Sequence, residues 1–423
     1  MADKTILVIG TFDTKSDELG FLTSKIRALG GGVVTLDVSV LADGPYGVDY
    51  SRHQVAEAAG SSIAEAIASQ SEHVAMNLMS KGACALARRL SETGQIDGVL
   101  CLGGTMGTDL ALDVCQALPI GLPKYVVSTI SFSPLIPAER LSPDIQMILW
   151  AGGLYGLNAI CRASLAQAAG AVLGAARAAE PVQSAAPVVG VTSLGTSCLK
   201  YIKTLKPALE ARGYEVAVFH AMGMGGMAFE QIAGQGGFAC VMDFAGPELG
   251  NLLSGSVVNA GRDRFRAAGR AGIPQIVAPG CMDLIDFAGW QEIPSQFEGR
   301  PFHTHNKLVK NTFYTASERR AIAWDLNARL GESTAPTHLI LPLGGIEEWD
   351  RPGGDCHDPE GLAAFLDELR ATKAASVFLS ETPAHINDAD FATLALRIFD
   401  DWVAQGLVAE GLVPAGQPKP TQQ

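Results

Sequence analysis

Charged residues are scarce in this chain and aromatic residues are scarcer, at 18% and 7% of 423 residues. Hydrophobic residues make up 48%, which excludes a disordered chain because disorder requires low hydrophobicity and high charge. A basic excess is also missing, since 31 Lys and Arg residues stand against 44 Asp and Glu residues and give a net charge of −13. This balance argues against a protein built mainly to bind nucleic acid.

Long apolar runs and paired cysteines are lacking as well. The uncharged stretch 145–161 contains Gln146, Asn158 and several glycines, so it does not resemble the ~20 apolar residues of a membrane span. The N-terminus has no apolar segment followed by a small-residue cleavage site. The eight cysteines form no CxxC pair, and most sit among apolar neighbours, which is typical of reduced, buried thiols. We therefore expect a cytoplasmic protein that binds neither membranes nor nucleic acid.

Short apolar runs alternate with helical patterns along the first half of the chain. KTILVIG and VVTLDV flank a segment whose apolar residues recur at helical spacing, which predicts a strand–helix–strand unit. Further strands are predicted at IDGVLCLGG, KYVVSTIS and IQMILWAGG, with helices at 53–69, 76–93 and 107–117. Because a helix separates consecutive strands, the sheet should be parallel and covered on both faces.

The pattern restarts after an Ala-rich and Pro-containing linker. APVVGVTSLGTS, a helix ending at Gly213 and YEVAVFHA repeat the opening arrangement, and strands follow at FACVMDF, PQIVAPG, THLILPLGG and ASVFLSE. The sequence thus predicts an α/β protein of two Rossmann-like, doubly wound lobes with mostly parallel sheets. We expect the first lobe at 1–180, the second at 187–412 and a disordered tail at 413–423.

Loops rich in Gly, Ser and Thr follow the strands of the first lobe, where open α/β sheets bind ligands. Glycines allow close approach of the backbone, and the next helix presents free N–H groups to an anion. The alternative is that these turns only cap helices. The nucleotide-binding candidates are Gly10, Thr11, Asp13, Thr14, Lys15, Gly103, Gly104, Thr105, Met106, Gly107, Thr108 and Ser128.

The two standard nucleotide motifs are absent. No GxxxxGK[ST] sequence occurs, and no GxGxxG follows the first strand. GMGGMA at 223–228 resembles the second motif loosely, but it follows the second strand of its half. The sequence does not decide which lobe binds the nucleotide. The second-lobe candidates are Ser193, Gly195, Thr196, Ser197, Gly223, Gly225, Gly226, Asp283 and His305.

Two other kinds of chemistry remain open from the residues alone. His303 and His305 could bind a metal ion together with a nearby carboxylate, and Cys281 could act as a nucleophile. The loop 342–361 gathers Glu347, Glu348, Asp350, Asp355, His357 and Asp358, which favours either a Mg²⁺-holding lid or a solvated acidic loop. No metal site is assigned on this evidence.

Several motifs together resemble the Tm-1-like ATP-binding domain family. They are ILVIGTFDTKSDELGFL, IDGVLCLGGTMGT, VVSTIS, GLNAICR, VTSLGTS, GMGGMAFE, DLIDF and the His305–Asn306 pair. The resemblance implies a two-part Rossmann-like architecture, ATP binding and homodimers. It also implies that this is the N-terminal ATP-binding region of such proteins without their TIM-barrel domain, so a separate TIM-barrel protein is an expected partner.

Two hypotheses follow from the motifs and the resemblance. The leading one is an ATP-binding protein that acts as an enzyme on a small acidic metabolite, with Mg²⁺ to offset the phosphate charge. The alternative is a non-catalytic module in which the nucleotide stabilises a protein-binding surface.

Overall fold

The computed structural model describes residues 4–45, 47–182, 184–300, 302–304, 306–354 and 356–412. The chain divides into two compact units, Met1–Val182 and Gln183–Gln423. Each unit is an α/β lobe built on a parallel sheet, so the predicted fold class is confirmed. The expected tail, 413–423, lies outside the described residues.

The first lobe contains a five-stranded sheet in the order β2-β1-β3-β4-β5, with every pair parallel. The helix predicted at 53–69 is two helices, because Gly60 adopts a positive φ of 77° and Ser62 caps a new start. The elements are β1 (Thr5–Gly10), α1 (Ser16–Ala28), β2 (Gly32–Asp37), α2 (Arg52–Ala58), α3 (Ile63–Ala68), α4 (Glu72–Glu92), β3 (Gly98–Gly103), α5 (Thr105–Ala117), β4 (Lys124–Ser128), β5 (Ile145–Leu149) and α6 (Ala159–Ala178).

Side chains of β1 point alternately into two separate cores. Ile6 and Val8 pack with residues of α1 and α6, whereas Leu7 and Ile9 pack with residues of α2, α4 and α5. The helices that follow β1 and β3 therefore lie on opposite faces of the sheet. This arrangement places the topological switch point, where open α/β sheets bind ligands, between β1 and β3.

Helix α6 is long and apolar enough to cross a bilayer by length and composition. Its residues at helical spacing, including Leu165 and Val172, are buried in the core of the first lobe. The opposite side carries Arg162 and Arg177, which are exposed. This pattern is that of a helix covering one face of a sheet.

The second lobe has a six-stranded parallel sheet in the order β14-β13-β9-β8-β6-β7 and a small antiparallel sheet, β10-β12-β11. Its elements are β6 (Val188–Ser193), α7 (Ile202–Ala211), β7 (Glu215–His220), α8 (Met224–Gly234), β8 (Cys240–Asp243), α9 (Pro247–Leu253), α10 (Ala267–Arg270), β9 (Gln275–Val277), β10 (Leu284–Ala288), β11 (His303–Thr304), β12 (Val309–Phe313), α11 (Ala316–Gly331), β13 (Thr337–Pro342), α12 (Pro359–Thr372), β14 (Val377–Thr382) and α13 (Ala389–Ala404).

The second lobe repeats the layering of the first. Helices α7 and α13 cover one face of its sheet, and α8 to α12 cover the other. Its switch point therefore lies between β6 and β8. The antiparallel sheet is an insertion after β9, and it adds polar residues beside the carboxyl ends of the parallel strands.

Candidate functional site

The loop after β3 presents an uncapped helix end at the switch point of the first lobe. Helix α5 begins at Thr105, two residues before the predicted start, and its N-cap Gly104 offers no side-chain hydrogen bond. The N–H of Thr108 donates to the Gly104 carbonyl at 2.8 Å, so the N–H groups of residues 105–107 precede the first bond within the helix. Thr105 and Met106 are exposed, which leaves this end open to an anion.

Different physical constraints act on the glycines of these loops. A Cβ on Gly103 would lie 2.6 Å from the Cα of Gly107, and one on Gly10 would lie 2.8 Å from a side chain of α1. A Cβ on Gly104 would meet only the Thr129 Oγ1, at 3.9 Å, and its φ of −75° is allowed for other residues. Packing therefore explains Gly103 and Gly10, whereas internal packing does not explain Gly104.

The predicted hydroxyl donors fall into two groups. Thr108 and Ser128 are buried and share a hydrogen bond of 2.6 Å, so they tie α5 to the end of β4. Thr11 and Thr14 share a bond of 3.0 Å in a more exposed loop, and Thr105 is exposed at the start of α5. Only this second group can face a ligand.

Lys15 and Asp13 stand in the loop after β1. The Lys15 Nζ donates to the Leu154 carbonyl at 2.8 Å and lies 4.9 Å from the centre of the Tyr155 ring, so the loop after β5 holds this cation in place. The Asp13 Oδ2 accepts from the Ala42 N–H at 3.4 Å. The Asp13 Oδ1 is buried and has no hydrogen-bond partner.

The TSLGTS segment of the second lobe forms a closed turn. Leu194 and Cys198 exchange two backbone hydrogen bonds of 3.0 Å, and Gly195 between them has a φ of +46°. The Gly195 N–H donates to the Nδ1 of His220 at 3.4 Å. Because α7 begins only at Ile202, the turn does not lead directly into a helix as the sequence suggested.

A cavity of about 200 Å³ adjoins this turn. It brings together three segments that the sequence analysis singled out separately, namely TSLGTS, DLIDF and the pair that contains Asn306. Ser193 and Asp283 do not line it, and His305 lies outside the described residues. The lining residues are Leu194, Gly195, Thr196, Ser197, His220, Met222, Leu284, Asp286, Asn306, Val309, Asn311 and Trp349.

The GMGG loop is filled by a carboxylate of the protein itself. The Glu248 Oε1 accepts from the N–H of Gly223 at 2.6 Å and from the N–H of Gly226 at 3.1 Å. A Cβ on Gly226 would lie 1.9 Å from the Glu248 Oε2, and one on Gly225 would lie 1.8 Å from the His220 carbonyl. Internal packing thus accounts for Gly225 and Gly226.

A buried charge cluster lies beneath that loop. Arg264 is fully buried and binds Glu248 at 2.7 Å, Asp243 at 2.8 Å and Glu230 at 3.2 Å. Burial raises the pKa of Glu248 to about 7, although the Arg264 charge acts in the opposite direction. Asp243 lies at the end of the predicted strand FACVMDF, but the sequence pattern gave no sign that Arg264, 21 residues later, would bind it.

A second buried cluster joins the loops after β9 and β13. Burial raises the pKa of Asp283 to about 6, although the Arg319 charge acts in the opposite direction. Burial, followed by the nearby charge of Asp283, raises the pKa of Glu347 to about 8. Both Asp283 oxygens and the Glu347 Oε1 lack hydrogen-bond partners. His385 accepts from the Asn387 N–H at Nδ1, so its Nε2 donates to Asp350 at 3.0 Å.

The acidic loop is therefore largely paired or buried. Glu348 binds Lys200 at 2.5 Å, Asp358 binds Arg319 at 3.0 Å, and Asp355 lies outside the described residues. Among the described residues, no group of three or more His, Cys, Asp and Glu side chains has an arrangement that could hold a metal ion. The side chains of His303 and His305 lie outside the described part of the chain.

Cys281 lacks the environment of a reactive thiol. It is fully buried, and burial followed by its neighbour Cys198 raises its pKa above the ordinary value. Catalytic thiols have lowered pKa values and lie in electropositive, partly exposed surroundings. The positive φ of Cys281, 57°, reflects a tight turn between β9 and β10.

Family models match almost the whole chain. Residues 4–181 match the N-terminal domain, and residues 186–403 the C-terminal domain, of the Uncharacterised protein family (UPF0261).

The chain belongs to the UPF0261 family.

Similar proteins of this family come from bacteria. A UPF0261 protein of Brucella melitensis is 53% identical over 408 residues, which cover 96% of this chain and 98% of that one. A UPF0261 protein of Clostridium tetani is 33% identical over 392 residues, 92% of this chain and 96% of that one. The ToMV resistance protein Tm-1(GCR237) of Solanum lycopersicum is 28% identical over 93% of this chain and 55% of its own length.

These comparisons correct the expected identity in one respect. The sequence motifs led us to expect the N-terminal ATP-binding region of Tm-1-like proteins without the barrel domain. The chain instead matches both UPF0261 domains in order, and it spans nearly the full length of the bacterial relatives.

Proposed function

We propose that this UPF0261 protein binds a nucleotide, ATP, at the switch point of its first lobe. One observation carries the proposal: α5 begins there with a glycine N-cap, and its first-turn N–H groups have no capping side chain. A phosphate group at this position would accept those N–H bonds and interact favourably with the helix dipole. The resemblance of GTFDTK and GGTMGT to the Tm-1-like ATP-binding family supports the same ligand.

Neighbouring side chains suit the remaining parts of ATP. Lys15 supplies a fixed positive charge on the loop after β1. Asp13 would repel phosphate, but its partnerless Oδ1 suits a ribose hydroxyl or a water bound to Mg²⁺. When Mg²⁺ is bound, it would offset the charge of the phosphates.

Replacing Gly104 with valine tests the proposal. The backbone at Gly104 accepts a side chain and no neighbour lies within 3.8 Å of the added Cβ, so the variant should fold. The side chain would keep phosphate oxygens away from the N–H groups of the first turn. We expect calorimetry to show ATP binding weakened at least tenfold, which is about 1.4 kcal/mol.

The matched control is Gly174→Val on α6, where the added Cβ meets no atom within 4 Å. Its ATP affinity should not change.

In the second lobe, Gly195→Val would be strained by the positive φ, so Thr196→Val is the better comparison. If Thr196→Val abolishes ATP binding while Gly104→Val leaves it unchanged, the nucleotide belongs to the second lobe and this proposal is wrong.

Two activities are compatible with such a site. An enzyme would consume ATP in the presence of a small acidic metabolite, whereas a non-catalytic module would bind ATP and a protein without turnover. The name of the tomato relative, ToMV resistance protein, motivates the second activity. Measuring ADP release by the purified protein, with and without candidate metabolites, distinguishes them.

A further inference from the structure

The cavity of the second lobe differs in chemistry from the phosphate site proposed above. It lies beside the carboxyl ends of β6 and β7 and is closed on one side by the inserted antiparallel sheet. Its volume of about 200 Å³ is below the ~300–1,000 Å³ of sites that hold drug-sized ligands. A whole nucleoside triphosphate would not fit, so the cavity suits a smaller molecule or one ring of a larger one.

Asp286 and Asn311 form the inner wall of the cavity. Asp286 is almost fully buried, and the side-chain amide groups of Asn251, at 3.1 Å, and of Asn311 donate to its two oxygens. Asn311 is itself 8% exposed, and its Oδ1 has no hydrogen-bond partner. A buried acceptor without a partner is unfavourable, so a ligand hydroxyl that donates to the Asn311 Oδ1 would relieve that cost.

Hydrogen-bond donors lie on the outer side. The Nδ1 of His220 faces the Gly195 N–H at 3.4 Å, so its Nε2 carries the ring proton and is a donor. The side-chain oxygen of Asn306 accepts from Leu308 at 2.7 Å and from Val309 at 3.1 Å, which leaves its amide N–H₂ as a donor. Thr196 adds an exposed hydroxyl, which can donate or accept.

The charge of the lining selects against anions. Among the described lining residues there is no Lys or Arg, and the carboxylate of Asp286 is present. A phosphate or carboxylate ligand would therefore meet a like charge with no cation to balance it. A neutral ligand that carries several hydroxyls, each both donor and acceptor, matches both walls. Trp349 contributes a flat apolar surface for the C–H side of a ring.

We propose that this cavity binds a neutral, polyhydroxylated ring: a free sugar or the ribose of an unphosphorylated nucleoside. The proposal does not depend on ATP binding in the first lobe. It predicts preference for neutral over anionic ligands of equal size and a requirement for Asn311.

Saturation-transfer NMR on the full chain tests this with glucose, ribose, adenosine and gluconate as probes. We expect transfer from the protein to at least one of the three neutral probes, and at least tenfold weaker binding of gluconate than of glucose. Binding of adenosine alone would identify a nucleoside as the source of the ring, and binding of glucose or ribose would identify a free sugar.

Two variants locate the site. Asn311→Leu removes the partnerless acceptor, and His220→Leu removes a donor from an exposed position where folding should not be affected. Each should weaken binding of the neutral probe at least tenfold, whereas Asn77→Leu on the exposed side of α4 and Gly104→Val should not. The proposal is overturned if no neutral probe binds, if gluconate binds more tightly than glucose, or if His220→Leu and Asn311→Leu both leave binding unchanged.

Discussion

Single glycines in the second lobe show how a buried carboxylate constrains the backbone. Gly226 is the third residue of α8, and an added Cβ there would overlap the Glu248 carboxylate, which Arg264 also binds. Movement of Glu248 would leave charges of the cluster unpaired in the interior, and such changes are strongly destabilising.

We therefore expect Gly226→Ala to lower the free energy of unfolding by about 2–4 kcal/mol. Gly234 in the same helix is the control, because a Cβ there meets only the Ala267 Cβ at 3.8 Å and alanine favours helix by up to ~1 kcal/mol. Urea unfolding followed by tryptophan fluorescence would measure both, since four of the five tryptophans, at 290, 324, 349 and 402, belong to the second lobe. Equal stability of the two variants would show that Glu248 can move freely.

At the scale of elements, the loops after β9 and β13 bring together two carboxyls that bind protons more tightly in the folded chain than in the unfolded chain. Burial raises the pKa of Asp283 to about 6, and burial together with the Asp283 charge raises that of Glu347 to about 8, whereas unfolded carboxyls titrate near 4. The folded state therefore holds more protons between these values. By linkage, stability should fall as pH rises from about 4 to about 8.

Glu347→Gln should remove much of this dependence, because the amide stays neutral and keeps an oxygen for the Trp349 N–H. We expect the unfolding free energy at pH 8 to rise by roughly 1–3 kcal/mol and its slope between pH 6 and 8 to flatten. Some slope should remain, since burial raises the pKa of Glu248 to about 7. The control is Glu348→Gln, where the carboxylate forms ion pairs with Lys200 and Arg351. Unfolding curves at several pH values with an unchanged slope for Glu347→Gln would contradict this assignment.

Elements also show what the sequence can predict. The positions of the strands and their alternation with helices can be predicted from local apolar patterns, because both depend on residues that are neighbours along the chain. The pairing of Arg264 with Asp243 and Glu248 depends on how distant elements pack, and local patterns contain no information on it. For the same reason the sequence placed Gly223, Gly225 and Gly226 among the second-lobe candidates for nucleotide binding, where the structure places a carboxylate of the protein.

The candidate sites divide in the same way. Gly104 and Thr105 were predicted from a strand-to-helix turn, which is a local feature, and the structure places them at an exposed helix end. Asp286 and Asn311 were not selected as ligand-binding residues, because the cavity arises only when β10 and β12 pair. The signal available in the sequence was the polar DLIDF segment among apolar neighbours.

For the whole molecule, the five hydrophobic clusters that the described residues form indicate two independent folding units. Each cluster contains residues of one lobe only, and each unit has the length of an ordinary domain. We expect residues 1–182 and 183–423, expressed separately, each to show its own cooperative transition in circular dichroism melts. Loss of structure in either fragment would mean that it needs the other lobe to fold.

The end of the second lobe packs against its beginning. Arg212 binds Asp400 at 2.7 Å, the Tyr214 hydroxyl donates to the Ala409 carbonyl at 2.7 Å, and the Leu412 N–H donates to the Gly213 carbonyl at 2.9 Å. During synthesis, α7 can therefore pack against α13 only after α13 has been made, nearly 200 residues later. At ~5–20 residues/s this delay is roughly 10–40 s. The first lobe is complete once α6 has emerged. A stop codon before α13 would thus leave a finished first lobe joined to a second lobe whose sheet lacks part of the helical cover on one face. Exposed apolar surface of this kind is a substrate for proteases and chaperones.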